Sequence, residues 1–254
     1  MAHGLRHASS EIPVKAASED ILTVSNLNVV LDHHPVLEDV SFRVRRQTTL
    51  AIVGPNGAGK TTLFRVLLGL LPYTGKVEWS EKVKVGYVPQ HFAVTDVPIS
   101  VGEFLAIKCK TDYRECLDSV GLDGKDILRK RLNVLSGGEM QRILIAWAIV
   151  DRPNVLLFDE PTSSIDIGSQ DLVYETLNAL EARVGITVLL ISHDIHTVMH
   201  YSDSTLALNR GVIYFGESRQ LSDPLLLQKI FGVGPIHEDH AHPEHSHSAP
   251  RLPP

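Results

Sequence analysis

One stretch near the first quarter of the chain constrains the fold most strongly. Residues 54–61 read G-P-N-G-A-G-K-T and match the phosphate-binding pattern G-x-x-x-x-G-K-[ST] at every fixed position. The apolar run 49–53 before it predicts a buried strand, and 62–68 after it predicts a helix with a wide apolar face. Glycines let the backbone approach closely, so that successive N–H groups and the start of the helix face a polyphosphate. The chain is therefore predicted to bind a nucleoside triphosphate through Gly54, Pro55, Asn56, Gly57, Ala58, Gly59, Lys60, Thr61 and Thr62.

Two carboxylates follow a second buried strand. The apolar run 155–158 ends in Asp159 and Glu160, and ligands bind at the carboxyl ends of strands in open α/β sheets. Phosphoryl transfer to water needs a metal ion that offsets the phosphate charge and a base that activates the nucleophile. We expect Asp159 and the Thr61 hydroxyl to hold Mg²⁺, and Glu160 to activate the water. From this motif alone, a strand that ends in a solvent-exposed acidic turn without a catalytic role is an equally valid interpretation.

The alternation of apolar and polar segments predicts an α/β fold. Buried runs such as 187–191 alternate with the helical pattern of 170–183, which implies a mainly parallel sheet. Short alternating runs over 21–53 predict antiparallel strands beside the phosphate-binding loop. The apolar spacing over 101–131 predicts two or three helices that form a lobe inserted in the core. The predicted divisions are a disordered tail at 1–20, one domain at 21–235 with its helical subdomain at about 91–150, and a disordered His-rich tail at 236–254.

Composition excludes several classes of function. The 254 residues carry a formal net charge of −6, so nucleic acid is not an expected partner. The longest apolar runs fall well short of the roughly 20 residues that span a bilayer. The first residues lack the apolar segment of a secretory signal, and we expect none.

A third motif lies between the phosphate-binding loop and the acidic strand. It reads Leu135, Ser136, Gly137, Gly138, Glu139 and resembles the LSGGQ signature of the ATP-binding-cassette (ABC) ATPases, with Glu139 where that family most often has Gln. In the order that this family requires, 88–90 resembles its Q-loop, 163–166 its D-loop and 192–194 its switch histidine. The resemblance covers nearly everything from residue 21 to about 234.

The resemblance implies a P-loop NTPase (RecA-like) core with an N-terminal antiparallel β subdomain and an inserted helical subdomain. It implies hydrolysis of ATP with Mg²⁺, the metal being held by Thr61, Gln90 and Asp159. Glu160 would be the base, while His193 would bind the γ-phosphate and position the water. Gln90 would sense the metal or the water and signal to the helical lobe.

The same resemblance implies a homodimer in which two copies face head to tail. The signature residues Leu135 to Glu139 of one copy would contact the nucleotide on the phosphate-binding loop of the other. Asp166, in the D-loop, would tie the two active sites together.

Four segments are similar to the ATPase subunits of zinc, manganese and iron uptake systems: 87–90, 97–101, 192–199 and 230–232. This likeness implies two separate membrane permease subunits, which would dock beside Gln90 against the apolar residues of 91–94 and 97–101. It also implies an extracellular or periplasmic metal-binding protein in the complex. The chain itself would lie on the cytoplasmic face of the membrane as a peripheral subunit.

The C-terminal tail carries five of the 13 histidines, interspersed with carboxylates. Imidazole and carboxylate together suit zinc and similar ions, so weak metal binding is one interpretation. A solvated tail without a metal role is the other, because prolines and the scarcity of apolar residues predict disorder. The histidines are His237, His240, His242, His245 and His247.

Other functions stay open from the sequence. One is an ABC transporter ATPase for another substrate, such as iron chelates, and a second is a soluble ABC ATPase without a transport role. A non-catalytic metal-binding regulator is a third, although the intact Glu160 and His193 argue against it. The resemblance implies uptake of a divalent metal cation, with zinc or manganese as the expected ion. The residues themselves do not name the ion, and the direction of transport follows from the resemblance alone.

Leu31 generates a prediction about base preference, because it occupies the position where ABC ATPases usually stack adenine on an aromatic ring. Stacking contributes about 1–3 kcal/mol. We expect weakened adenine preference unless His33 or His34 substitutes, so ATP and GTP should be hydrolysed at similar kcat/KM. Parallel turnover assays check this, and a large preference for ATP would contradict it.

Overall fold

The computed structural model describes residues 19–80, 82–90, 92, 98–108, 113–160 and 167–232. Its strands are β1 (Asp20–Leu31), β2 (His34–Arg45), β3 (Thr49–Val53), β4 (Thr74–Trp79), β5 (Val85–Val88), β6 (Val155–Asp159), β7 (Thr187–Ile191), β8 (Ser204–Asn209) and β9 (Gly211–Glu217). Its α-helices are α1 (Lys60–Leu67), α2 (Val101–Lys108), α3 (Arg114–Ser119), α4 (Gly124–Ile127), α5 (Gly137–Ile149), α6 (Ile167–Val184), α7 (Ile195–Tyr201) and α8 (Pro224–Phe231). Short 3₁₀ helices lie at Leu132–Val134 and Ser218–Ser222.

A mainly parallel sheet forms the centre of the fold, as predicted. Within the described residues it has the order β5-β6-β7-β3-β8-β9, and only β9 runs antiparallel to its neighbour. Every residue of β3, β6 and β7 is buried. Such strands are covered on both faces, which is why their sequences are continuous apolar runs rather than alternating ones.

A smaller antiparallel sheet of order β2-β1-β4 confirms the predicted N-terminal strands. β1 and β2 are joined by Asp32 and His33, which both have positive φ, as tight two-residue hairpin turns require. Both strands have 12 residues and are longer than the short runs seen in the sequence. Register shifts within the β1–β2 ladder explain the difference, because bulges interrupt the alternation of apolar and polar residues without ending the strand.

The two faces of β6 contact different layers. Leu156 and Phe158 lie in one hydrophobic cluster with the helices α2 to α6, whereas Val155 and Leu157 lie in another with β1, β2 and α1. This division follows from the alternation of side chains along a strand. The helices expected over 101–131 are present as α2, α3 and α4. They share a core with the sheet, and the predicted boundaries of the helical subdomain, the domain and the two tails stay predictions.

Phe158 provides a test of this packing, since its side chain is fully buried beside the acidic end of β6. Phe158→Ala should lower the free energy of unfolding by about 3–5 kcal/mol, because it removes buried apolar surface and leaves a cavity. Phe215→Ala is the matched control: Phe215 is 42% exposed and has an edge-on contact with Phe42, and it should cost about 1 kcal/mol. Denaturant unfolding monitored by circular dichroism measures the stability of both variants. Equal losses of stability would contradict the placement of Phe158 in the core.

Candidate functional site

The carboxyl edge of the parallel sheet brings the predicted catalytic residues together. β5 and β6 pair in register up to Val88 and Phe158, so Gln90 and Glu160 leave the sheet side by side. On the other flank β6 pairs with β7, and the Glu160 amide donates to the carbonyl of the last β7 residue at 3.1 Å. His193 follows that residue by two positions and therefore emerges on the opposite side of Glu160.

The Glu160 carboxylate is held from both sides. Gln90 Nε2 donates to Glu160 Oε2, and His193 Nε2 lies 2.5 Å from Glu160 Oε1. The carboxylate is 16% exposed and the imidazole 42% exposed. Glu160 itself has φ of 48°, a left-handed conformation that costs a residue with a side chain about 1–2 kcal/mol. This backbone turn at the strand end aims the carboxylate at the two side chains that contact it.

Glycine is required at two positions of the phosphate-binding loop. Gly54 has φ of 146°, and a Cβ there would lie 2.1 Å from the carbonyl oxygen of Leu208. Gly59 has φ of 96°, and a Cβ there would lie 2.5 Å from the side chain of Leu37 in β2. The loop is therefore packed closely between β8 and the antiparallel sheet, with α1 starting directly after Gly59.

The Lys60 ammonium lies over this loop. Its Nζ donates to the carbonyls of Gly54 at 2.8 Å and Pro55 at 3.0 Å, so one of its three donors remains for a phosphate. Burial lowers the pKa of Lys60, while the charges of Glu160 and Asp159 oppose that shift. A partly desolvated cation attracts a polyphosphate more strongly than a solvated one does.

Asp159 is the last residue of β6, directly before Glu160, and is only 2% exposed. Burial raises the pKa of Asp159, and the neighbouring charge of Glu160 raises it further, while hydrogen bonds from Thr61 and Tyr87 oppose the shift. The Tyr87 hydroxyl lies 3.5 Å from Oδ2. Oδ1 is buried and has no hydrogen-bond partner among the described residues. Tyr87 was not a predicted site residue, and only the pairing of β5 with β6 shows that it reaches this carboxylate.

A cleft of about 680 Å³ connects the phosphate-binding loop with Gln90, Glu160 and His193. Its lining residues are Val36, Asn56, Gly57, Ala58, Gly59, Lys60, Thr61, Thr62, Gln90, Glu160 and His193. Val36 in β2 was missed at the sequence level, because nothing local indicates that the hairpin reaches the phosphate-binding loop. Leu31 packs against the cluster that contains β1 and β2. His33 in the hairpin turn and His34 at the start of β2 are both exposed.

The signature motif forms the start of α5. Ser136 caps the helix: its hydroxyl accepts from the Glu139 amide at 3.2 Å, and Glu139 Oε2 accepts from the Ser136 amide at 3.0 Å. This reciprocal arrangement is a capping box. No signature residue is among those that line the cleft of the same chain. The interpretation that Leu135 to Glu139 act on a second copy therefore stays a prediction.

Other predicted residues lie outside the described part of the chain. These are the D-loop Asp166 and the tail histidines His237, His240, His242, His245 and His247. Part of the predicted permease-docking surface, residues 91, 93–94 and 97, is also outside it. Of the remainder, Val101 is fully buried and belongs to the core, so its expected contact with a permease is wrong. No helix in the described ranges is long and apolar enough to cross a bilayer.

The raised pKa of Asp159 predicts a stability that depends on pH. A carboxyl group whose pKa is higher in the folded chain binds more protons there, so folding is penalised once the pH exceeds the unfolded value of about 3.9. Asp159→Asn removes this penalty. In EDTA and without nucleotide, it should raise the thermal unfolding midpoint at pH 8, and the gain should shrink as the pH falls toward the unfolded value of about 3.9.

Asp118→Asn, at an exposed position of α3, serves as the control and should show no comparable trend. Differential scanning calorimetry at several pH values measures both variants. A gain of Asp159→Asn that is the same at every pH would contradict a charge effect.

Comparison with known proteins agrees with this geometry. The family model described as ABC transporter matches residues 37–163. The chain is 37% identical over 246 residues to the zinc import ATP-binding protein ZnuC of Halorhodospira halophila, covering 94% of each chain. It is 33% identical over 219 residues to the protein of the same name from Wigglesworthia glossinidia brevipalpis, covering 84% of this chain and 94% of that one.

The fold is also similar to a solved structure described as an inward-facing metal-chelate-type ABC transporter. The TM-score is 0.75 at 29% identity, with 84% of this chain and 89% of that chain covered. The phosphate-binding loop, the acidic strand end and the signature helix thus occur in a chain whose relatives match over most of its length. The chain belongs to the ABC transporter family, as an ATP-binding subunit that hydrolyses ATP.

Proposed function

We propose that this chain powers the import of zinc through separate membrane permeases, and that Glu160 is the base of its ATPase reaction. The observation that carries the catalytic assignment is the convergence of Gln90 and His193 on the Glu160 carboxylate, in the cleft that contains Lys60. The zinc assignment is supported by two relatives, each a zinc import ATP-binding protein at 33–37% identity.

In the proposed reaction, water attacks the γ-phosphorus of ATP, the bond to the β–γ bridging oxygen breaks, and ADP leaves. Glu160 takes a proton from the water as it attacks. Its carboxylate can do so although Gln90 and His193 contact it, because a carboxylate has about four lone-pair positions. The two neighbours orient the carboxylate, while Lys60 binds the outer phosphates.

The residues around Asp159 fit a magnesium ion. Mg²⁺ prefers oxygen ligands in octahedral geometry, and the buried Asp159 Oδ1 has no hydrogen-bond partner in the described part of the chain. The Thr61 hydroxyl contacts this carboxyl group. Gln90 donates to Glu160 through its amide nitrogen, which leaves its amide oxygen for a cation. Bound there through Thr61, Gln90 and Asp159, the metal would neutralise phosphate charge.

A head-to-tail homodimer completes the proposed site. The Ser136 hydroxyl oxygen accepts a hydrogen bond from the Glu139 amide, so the hydroxyl hydrogen points away from that amide and is free to donate elsewhere. That donor and the amides of Gly137 and Gly138 at the start of α5 suit the γ-phosphate held by a second copy. Asp166 would contact the opposite subunit. ATP would thus join the two copies and hydrolysis would part them.

Exposed apolar side chains at residue 92 and on helix α2 support docking of the two permease subunits. Phe92 is 38% exposed and packs edge-on against Phe104, while Ile107 on α2 is 69% exposed. Exposed apolar residues such as these suit apolar contact with another subunit. The chain would then lie on the cytoplasmic face of the membrane, with a metal-binding protein on the other side completing the importer.

A metal chelate is the second candidate substrate. It is favoured by the similarity to the metal-chelate-type transporter at 29% identity and a TM-score of 0.75. The identities of the two zinc relatives are higher, so zinc is the substrate that we propose.

The test replaces the chromosomal gene with a Glu160→Gln variant and measures zinc, manganese and iron by mass spectrometry under metal limitation. Purified Glu160→Gln should hydrolyse ATP at least about 100-fold more slowly, because the general base is lost. Cellular zinc should fall selectively. A selective fall in iron would favour the chelate instead.

Glu175→Gln is the matched control, since Glu175 is an exposed residue of α6. It should leave both turnover and cellular zinc unchanged. Undiminished hydrolysis by Glu160→Gln would refute the base assignment, and lost hydrolysis without a change in any metal would refute metal import.

A further inference from the structure

The signature motif carries a charge where its family most often has a neutral side chain. Glutamine and glutamate can both accept from the N-cap amide, so the capping box does not require the charge of Glu139. The groups proposed to attract a phosphate are the amides of Gly137 and Gly138 and the hydroxyl of Ser136, all at the start of this helix. A carboxylate three residues from Ser136 opposes that attraction.

Lys130 is placed to offset this charge. Its Nζ lies 2.7 Å from Glu139 Oε1, while Glu139 Oε2 accepts from the Ser136 amide. The Glu139 side chain is 23% exposed and that of Lys130 is 45% exposed, so the pair lies at the surface with its carboxylate partly covered. The hydrogen bond from Lys130, followed by that from Ser136, lowers the pKa of Glu139, which keeps the carboxylate ionised.

The backbone of Lys130 is anchored independently of this pair. Its carbonyl accepts from the Val101 amide at 2.9 Å, and the Leu132 amide donates to the Ile99 carbonyl at 3.0 Å. An isolated bridge also joins Ser100 to the residue after Lys130. The segment that starts α2 thus fixes the position from which the ammonium reaches the signature helix.

We propose that Lys130 is a positioning residue of the ATP site formed between two copies. Its ammonium offsets the charge of Glu139 and holds the carboxylate on the Ser136 amide. The signature then keeps a net attraction for the γ-phosphate bound by the partner copy. This proposal rests on the head-to-tail dimer proposed above. A glutamine at position 139 would carry no charge to offset, whereas Glu139 requires a cation from outside the signature.

The test is a double-mutant cycle in the full-length Glu160→Gln parent, with sedimentation velocity used to find the ATP concentration that gives half-maximal dimer. Lys130→Met should raise this concentration about fivefold, the upper end of the range for a lost surface ion pair. In a Glu139→Gln background the same change should raise it less than about twofold. Lys130→Arg should restore the parental value.

Two controls separate charge compensation from a structural role. Lys76→Met removes the exposed Lys76–Glu78 pair of β4, whose atoms are 2.6 Å apart, and should not change the ATP requirement. Raising the ionic strength from about 0.05 M to about 0.5 M should reduce the effect of Lys130→Met, because salt screens exposed charges. A purely structural effect would instead lower the thermal unfolding midpoint and persist in high salt.

The possible failures are distinguishable. If the parent dimerises with ATP but Lys130→Met acts equally with Glu139 and with glutamine, or has no effect in either background, charge compensation is overturned and the dimer stands. If the parent does not dimerise with ATP, the head-to-tail site is refuted and the role of Lys130 is refuted with it.

Discussion

Parallel pairing among β5, β6, β7 and β3 is the interaction on which the site depends. These strands end at one edge of the sheet, and each contributes the residues that follow it: Gln90, Glu160, His193 and the phosphate-binding loop. The pairing is stabilised by burial on both faces, because alternate residues of β6 belong to different hydrophobic clusters. The precision of the site therefore comes from the core rather than from the loops that carry it.

Electrostatic cost is concentrated at this edge. The buried Lys60 and the buried Asp159 both lie at this edge. Burial favours the neutral form of each side chain, so it lowers the pKa of Lys60 and raises the pKa of Asp159. Glu160 adds a left-handed backbone conformation. These features are unfavourable for the isolated chain and are offset by the packing around them. A polyphosphate with a divalent cation supplies the opposite charges, which is the complementarity expected of a nucleotide site.

The signature helix follows a different physical rule. Its start is organised by hydrogen bonds local in sequence, the capping box of Ser136 and Glu139, and by one ion pair to Lys130. Its far end packs into the cluster that covers one face of β6 and β7. This shared core connects α5 to the sheet edge that holds Glu160. The start of α5 is the part proposed to contact a second copy.

Features that depend on residues close together in the chain could be predicted from the sequence alone. The phosphate-binding loop, the buried strands before and after it in the chain and the acidic pair depend on neighbours in sequence, so periodicity and spacing predicted them. The signature was identified by its resemblance to the family motif. Family resemblance supplied the roles of Gln90 and His193. Neither Val36 in the cleft nor Tyr87 beside Asp159 was predicted, and the bulged strands β1 and β2 were underestimated in length. Those features depend on strand order, which joins Gln90 to Glu160 across 70 residues and His193 to Glu160 across 33. Such contacts are decided by which apolar faces bury one another in the folded chain, and that choice has no local signal in the sequence.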